Sequence, residues 1–163
     1  MDCCSKKIDT KLICSNETDV CPYCKTKAKH IGYKTILMQL KYPHVKEAKE
    51  GKYFICMEPN CDVVYFSSNV EVVFFKKDLR TKIGIKKKDN SKTICYCFDI
   101  TEKDISDEIK LTGESKIYKF IKTKTVDNLC ACSIKNPLGK CCLSEVKKII
   151  SATNSVQKPR IYK

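Results

Sequence analysis

Four cysteines in the first half of the chain have the spacing of a site for one metal ion. Cys21 and Cys24 form a CxxC pair, and Cys56 and Cys61 form a CxxxxC pair further along the chain. Short loops of this kind bring two thiolates to one ion, and two such loops supply the tetrahedral sulfur set that Zn²⁺ prefers. Because cysteine fills all four positions, the pattern predicts a structural zinc ion. Iron in a rubredoxin-like site uses the same donors, so the sequence leaves the metal open.

A second set of cysteines lies in the other half of the chain and has a different pattern. It comprises three close pairs, namely Cys95 and Cys97, Cys130 and Cys132, and Cys141 and Cys142. The first pair precedes a predicted helix and the last pair begins one, and helix N-termini stabilise thiolates through their free N–H groups. A [2Fe–2S] cluster held by four thiolates is anionic and needs such donors. The pattern therefore favours a cluster over a second zinc site.

The cysteine content also indicates the compartment. The chain has 163 residues and 13 cysteines, and an odd number fits a closed disulfide framework poorly. Its N-terminus has no apolar stretch of the kind found in secretory signals, and no apolar run approaches the about 18 residues that span a membrane. We expect a cytoplasmic protein with reduced thiols and no membrane contact. Cys3, Cys4 and Cys14 lie in the polar N-terminal stretch and have no assigned role.

The formal net charge of +13 raises the possibility of nucleic-acid binding. Arginine, which recognises phosphate and guanine through paired hydrogen bonds, occurs only at Arg80 and Arg160. We therefore expect no nucleic-acid partner and keep a zinc-ribbon nucleic-acid-binding protein as the alternative function. The sequence also lacks a Ser/His/Asp or Cys/His nucleophile set, paired carboxylates and a phosphate-binding glycine loop. It predicts no enzymatic activity beyond, at most, the reduction of a metal ion.

Hydrophobic patterning predicts an α+β protein made of two units between two tails. Residues 1–18 form a flexible tail, 19–88 a small β-rich zinc-knuckle unit, 93–152 a small helical unit that binds the cluster, and 153–163 a polar tail. The charged stretch 86–92 separates the units. Strands are predicted from β-branched and aromatic runs at Tyr33–Lys41, Tyr53–Cys56, Val63–Phe66 and Glu71–Phe75.

The second unit shows helical signals instead. Thr101 followed by Asp104 has the pattern of a helix N-cap, and apolar residues then recur at intervals of three and four. Three helices are predicted, with apolar faces formed by Ile105 and Ile109, by Ile117, Phe120 and Ile121, and by Val146, Ile149 and Ile150.

Several segments resemble one family. These are Cys21-Pro22-Tyr23-Cys24, the run Tyr53–Phe66, Cys95-Tyr96-Cys97 and Asn136–Cys142. They resemble the N-terminal zinc and [2Fe–2S] domain of CopZ-type copper chaperones, whose second half is of the bacterioferritin-associated ferredoxin type. The resemblance implies one Zn²⁺ and one [2Fe–2S] cluster that transfers single electrons. It also implies a link to copper homeostasis, in which the cluster reduces Cu(II) for a copper carrier. A redox partner protein or a copper carrier is then the expected partner, although the MxCxxC loop of such carriers is absent here.

The resemblance also guides the choice of cluster ligands. In the ferredoxin type the last ligand precedes apolar positions of a helix, and counting from Cys142 places Val146 and Ile149 at those positions, whereas counting from Cys141 does not. Cys132 is preferred over Cys130 because its loop to Cys142 is shorter to close. The predicted zinc ligands are therefore Cys21, Cys24, Cys56 and Cys61. The predicted cluster ligands are Cys95, Cys97, Cys132 and Cys142, with Cys130 and Cys141 as alternates.

Overall fold

A computed structural model of the chain describes residues 18–87, 89 and 91–157. The predicted α+β class is confirmed, with a small antiparallel sheet followed by a mainly helical half. Neighbouring strands of this sheet lie in chain order, and each pair is antiparallel. The strands are β1 (Lys29–Ile31), β2 (Tyr53–Ile55), β3 (Val63–Ser67) and β4 (Val73–Phe75). The three strands β2 to β4 match predicted runs, whereas β1 was not predicted.

The predicted strand at Tyr33–Lys41 is wrong, because most of this segment forms helix α1 (Tyr33–Gln39). Its buried residues are Thr35, Ile36 and Gln39, followed by Leu40. Burial at positions i, i+1, i+4 and i+5 is typical of one face of a helix. Two of these four buried residues are polar. The sequence analysis weighed only the apolar residues, and these do not distinguish a short strand from a short helix.

The sheet of the first unit separates two apolar clusters. One contains Phe54, Val63 and Phe66 together with three buried cysteines of the first set. The other lies on the opposite face of the sheet, where Tyr53, Ile55 and Tyr65 pack against α1. Because successive side chains of β2 point to opposite faces, Phe54 contacts the cysteine cluster while its neighbours contact the helix. One thin sheet thus connects the first cysteine set to α1.

The second unit begins with a hairpin and continues with helices. Its elements are β5 (Thr93–Cys95), β6 (Ile100–Thr101), α2 (Glu102–Thr112), α3 (Ile117–Val126), α4 (Cys132–Lys135) and α5 (Leu143–Gln157). The three predicted helices are α2, α3 and α5, and α2 begins with the predicted reciprocal cap of Thr101 and Asp104. Ile105, Ile109 and Ile121 are fully buried in the core that these helices share. None of the described helices is long and apolar enough to cross a membrane.

One predicted boundary changes. Helix α5 continues to Gln157 and so passes the expected start of the tail at residue 153. The hydroxyl groups of Ser151 and Thr153 donate to the carbonyl groups four residues earlier, so these polar side chains are hydrogen-bonded within the helix. Lys86 lies in the charged stretch and within the predicted first unit, 19–88. Lys86 is 9% exposed and its Nζ atom donates to the carbonyl oxygen of Glu58 at 2.7 Å, so it belongs to the first unit.

Candidate metal centres

The first cysteine set converges from two loops beside the sheet. Cys21 and Cys24 lie in a tight turn, where the N–H group of Lys25 donates to the carbonyl oxygen of Cys21. Cys56 directly follows β2, and Cys61 precedes β3 by two residues. All four Sγ atoms lie within 4.8 Å of one another. The loops that the spacing singled out therefore meet at one point.

The distances between these sulfur atoms fit a tetrahedral site. The Sγ atoms of Cys21 and Cys61 are 3.9 Å apart, and those of Cys24 and Cys56 are 3.6 Å apart. Four sulfurs at about 2.3 Å from a central Zn²⁺ have edges of about 3.8 Å. Three of the four residues are buried and Cys24 is half-buried. Four thiolates with this geometry leave no position for substrate, so the set suits a structural ion.

Protonation within the first set is uneven. Burial opposes ionisation of Cys24, but hydrogen bonds from Thr26, Cys21 and Cys56 together outweigh it and lower the pKa of Cys24 to about 6. Burial raises the pKa of Cys56 to about 12, and the positive charge of Lys86 only partly offsets this effect. A metal ion must displace the proton that Cys56 retains, so binding and proton release are coupled. Lys86 is a contributor that sequence reasoning missed, because it lies in a lysine run that resembles a solvated linker.

The second cysteine set consists of two sulfur pairs and two further thiols. The Sγ atoms of Cys97, in the hairpin turn, and of Cys132, the first residue of α4, are 3.7 Å apart. Cys95 ends β5 and Cys142 precedes α5, and both lie in the same buried cluster, where the Cys142 thiol lowers the pKa of Cys95. A dinuclear cluster needs two thiolates on each of two irons, so two pairs suit it better than one tetrahedral group. The structure thus brings the four predicted cluster ligands together as two pairs.

Cys130 competes for a place in this set. Its Sγ atom lies within 4.8 Å of those of Cys97 and Cys132, and these three form the second group of thiols close enough to share one ion. The hydroxyl group of Thr125 lies 3.4 Å from the Cys130 sulfur. Cys141 is half-buried beside Cys142 and belongs to neither close pair. The choice between Cys130 and Cys132 therefore stays a prediction.

Hydrogen bonds and burial set the charge of the second set. The thiol of Cys142 donates to Cys95, which outweighs desolvation and lowers the pKa of Cys95 to about 6. The same bond, together with burial, raises the pKa of Cys142. Burial, reinforced by Cys97, raises the pKa of Cys132 to about 12. The backbone N–H of Ala131 lies 3.4 Å from the Cys97 sulfur and donates to it. The pair of Cys95 and Cys142 thus combines an easily ionised thiol with one that keeps its proton.

A cleft between the two units opens beside the second set. Cys141 and Cys142 line it, together with residues of the first unit such as Met57 and Pro59. Its rim is basic and carries Lys29, Lys87, Lys92, Lys140 and Lys148. Two of these lysines pair with carboxylates, Lys92 with Glu102 at 2.8 Å and Lys148 with Glu145 at 3.6 Å. A negatively charged molecule would be attracted to the cleft.

Comparison with known proteins identifies the relatives of this chain. Residues 18–80 match the family zf_CopZ, described as a zinc binding domain. The copper chaperone CopZ of Archaeoglobus fulgidus is 33% identical over 75% of this chain and 57% of its own length. The X-ray structure of the N-terminal domain of that protein superposes with a TM-score of 0.64 at 28% identity, covering 80% of this chain and 96% of that domain. The chain is a homologue of the CopZ N-terminal domain.

This homology confirms the resemblance to the CopZ N-terminal domain and its zinc-binding part, whereas the ferredoxin-type [2Fe–2S] part stays a prediction. The CopZ zinc-binding domain includes the whole first cysteine set, and the matched structure covers most of both units. The family match ends at residue 80, before Cys95, so it carries no information on the second set. The chain spans just over half the length of the A. fulgidus chaperone. Cys3, Cys4 and Cys14 lie outside the described residues.

Proposed function

We propose that this CopZ homologue is an electron-transfer protein in which zinc holds the first unit and a [2Fe–2S] cluster occupies the second. Cys21, Cys24, Cys56 and Cys61 would hold the Zn²⁺, and Cys95, Cys97, Cys132 and Cys142 would hold the cluster. The observation that carries the proposal is the contrast between the two sets. One is a closed tetrahedron of sulfurs. In the other, Cys97 lies close to Cys132, and Cys142 lines an accessible cleft.

The redox role follows from the chemistry of this donor set. A cluster with four thiolate ligands has no open iron position, so its usual activity is one-electron transfer. Donors to sulfur, such as the N–H of Ala131, favour the more negative, reduced state and raise the reduction potential. The positive charge of the nearby lysines raises the reduction potential as well. Reducing conditions keep the thiolates available, which favours the cytosol as the place of action.

We further propose that Cu(II) is the electron acceptor and that the product Cu(I) passes to a copper carrier. One reduced cluster loses one electron, and one Cu(II) gains it, so the step needs no other reactant. The relative that motivates this proposal is a copper chaperone. A redox partner with an acidic surface would supply the electron, because lysines surround the cleft beside Cys141 and Cys142.

The alternative of nucleic-acid binding has less support. Arg80 is the one arginine among the described residues, and its Nε atom donates to the carbonyl oxygen of Leu40 at 2.6 Å. Its side chain therefore supports the contact between the end of α1 and the segment that contains Arg80. A nucleic-acid binder would show affinity that falls steeply with salt, whereas the redox proposal predicts weak binding without sequence preference.

Anaerobic purification followed by metal and sulfide analysis tests the proposal directly. We expect zinc, iron and acid-labile sulfide, visible absorption that bleaches on reduction, and an EPR signal from the reduced state. The reduced protein is then mixed with Cu(II) and a Cu(I)-specific chelator in a stopped-flow instrument. Reoxidation of the cluster should match Cu(I) formation one to one. A colourless protein that contains zinc alone would refute the cluster, and a cluster unreactive toward Cu(II) would refute the acceptor.

A further inference from the structure

The loop between Cys132 and Cys142 is held by side chains of the other unit. Thr35 Oγ1 donates to the carbonyl oxygen of Ser133 at 2.6 Å, and Gln39 Nε2 donates to those of Ile134 and Lys135 at 2.8 and 3.0 Å. Both donors lie on one face of α1. They therefore satisfy three consecutive carbonyl groups at the end of the short helix α4, which has few internal hydrogen bonds of its own.

A third donor extends this contact along the loop. The hydroxyl group of Tyr65, on β3, donates to the carbonyl oxygen of Pro137 at 2.8 Å, and the ring is fully buried. Burial raises the pKa of Tyr65, so the hydroxyl stays protonated and remains a donor. Gly139 has φ of +63°, and a Cβ atom there would lie 2.9 Å from both Ile31 and Thr35. The loop is therefore fixed in position from Ser133 to Gly139.

The other cluster loop is also attached to the first unit. Tyr96 lies between Cys95 and Cys97, and its hydroxyl oxygen accepts a hydrogen bond from the N–H of Gly84 at 2.7 Å. The same hydroxyl donates to the carbonyl oxygen of Lys82 at 3.3 Å. Both loops that carry the predicted cluster ligands are thus bonded to the zinc-binding unit.

We propose that the zinc-binding unit clamps the cluster-binding loop, and that Thr35, Gln39 and Tyr65 are positioning residues for the [2Fe–2S] site. The inference rests on the proposed function for the presence of the cluster, whereas the clamp itself rests on the contacts. Cys132 and Cys142 lie at the two ends of the clamped loop, so its conformation sets the distance between them. A released loop would let the sulfurs separate and the cluster dissociate.

The test compares substitutions that remove one clamp hydroxyl with matched controls. Thr35→Val and Tyr65→Phe keep the shape of each side chain and remove the donor. Thr35→Ser restores a hydroxyl at the same place. Tyr33→Phe removes a comparable hydroxyl, which donates to the carbonyl oxygen of Ala48 at 2.9 Å, from a contact within the first unit. The readouts are the loss of cluster absorbance in the presence of a chelator and the g-values of the reduced cluster in EPR.

We expect cluster loss to accelerate about 2- to 12-fold in each donor-deleted clamp variant, the range that corresponds to one net hydrogen bond. The g-values should shift in these two variants, and Thr35→Ser and Tyr33→Phe should resemble the wild type in both readouts. Equal acceleration in Tyr33→Phe would overturn the clamp, because the effect would then be general destabilisation. Unchanged loss rates in both Thr35→Val and Tyr65→Phe would overturn it as well.

A purified chain without iron would refute the proposed cluster but would leave the clamp testable. Amide hydrogen exchange is then measured over residues 133–140. Faster exchange there in Thr35→Val than in Tyr33→Phe supports the clamp, and equal exchange in the two variants refutes it.

Discussion

The two cysteine sets of this chain have similar donors but different surroundings. The first set is enclosed by Phe54, Val63 and Phe66, and its four sulfurs approach one another closely. The second set lies where a hairpin and two helix starts meet. Several of its thiols are half-buried, and Cys141 and Cys142 line a basic cleft. Enclosure suits an ion that only holds the fold together. Accessibility suits a centre that exchanges electrons, because electron transfer requires close approach of a partner.

The two units also differ in what stabilises them. The first unit has short strands and one two-turn helix, and one of its two buried clusters contains three cysteines of the first set, so a metal ion bound there would stabilise the unit directly. The second unit has a core of isoleucines shared by longer helices, and its cysteine loops are fastened to its neighbour. We therefore expect the dependence between the units to be asymmetric. The cluster should need the zinc site, whereas the zinc site should survive loss of the cluster.

Cys56→Ser should have the largest effect. Structural zinc contributes an apparent binding free energy of about 10–16 kcal/mol, which is comparable to the whole stability of a domain, about 5–15 kcal/mol. Zinc content, visible absorption and near-UV circular dichroism should all be lost together. Cys130→Ser serves as a control that should retain zinc and native dichroism. A Cys56→Ser protein that keeps its cluster would show that the two units are independent.

Cys142→Ser should remove the cluster and leave the zinc unit intact. Cys142 is 5% exposed and precedes α5, and its carbonyl oxygen accepts hydrogen bonds from the N–H groups of Glu145 and Val146. Iron and sulfide should be lost from the purified protein, while zinc and most of the far-UV dichroism remain. The matched control is Cys141→Ser, which should keep the cluster. Loss of zinc in Cys142→Ser would contradict the asymmetry between the units.

A smaller effect is expected from replacing each of the two thiols near Cys97 in turn. Cys132→Ser should lower the cluster yield, because a ligand is lost. Any cluster that remains should have altered EPR g-values, because Cys130 lies close enough to replace the missing ligand. Cys130→Ser should leave both the yield and the g-values unchanged. The opposite result would assign Cys130 as the ligand. Equal, partial losses in both variants would indicate that the two thiols share the position.

The smallest effect is expected at the start of α2. The N–H of Thr101 donates to Asp104 at 2.8 Å and the N–H of Asp104 donates to Thr101 Oγ1 at 3.2 Å, so Thr101→Ala should lower the free energy of unfolding by about 1 kcal/mol. Denaturant unfolding checks this value, with Thr101→Ser as the control.

Hydrogen bonds from Thr101 hold the pKa of Asp104 below its usual value. The carboxylate's contribution is therefore complete above about pH 4 and is lost as the pH falls through the lower, folded-state pKa. A variant equally destabilised at pH 2 and pH 7 would contradict this assignment.

Local patterns carried much of the correct prediction. The strands β2 and β3, the cap of α2 and the apolar faces of α2 and α5 depend on residues that are close in sequence. The strand prediction for the segment of α1 was wrong because the buried face of this helix includes Thr35 and Gln39. These two residues are buried only because they bond to the other unit. When only the apolar positions are counted, buried polar residues of this kind make a helical segment resemble a strand.

The sequence by itself determined which cysteines belong to each set, because metal ligands come in closely spaced pairs whose spacing is a local property of the chain. It also indicated the similarity to the CopZ N-terminal domain, through motifs that lie in those same loops. Only the tertiary structure decided how the sets are supported. Thr35 and Ser133 are separated by 98 positions, and Lys86 reaches back to Glu58 from a stretch that resembles a linker. Such contacts leave no periodic signal, because each depends on where two distant segments meet after folding.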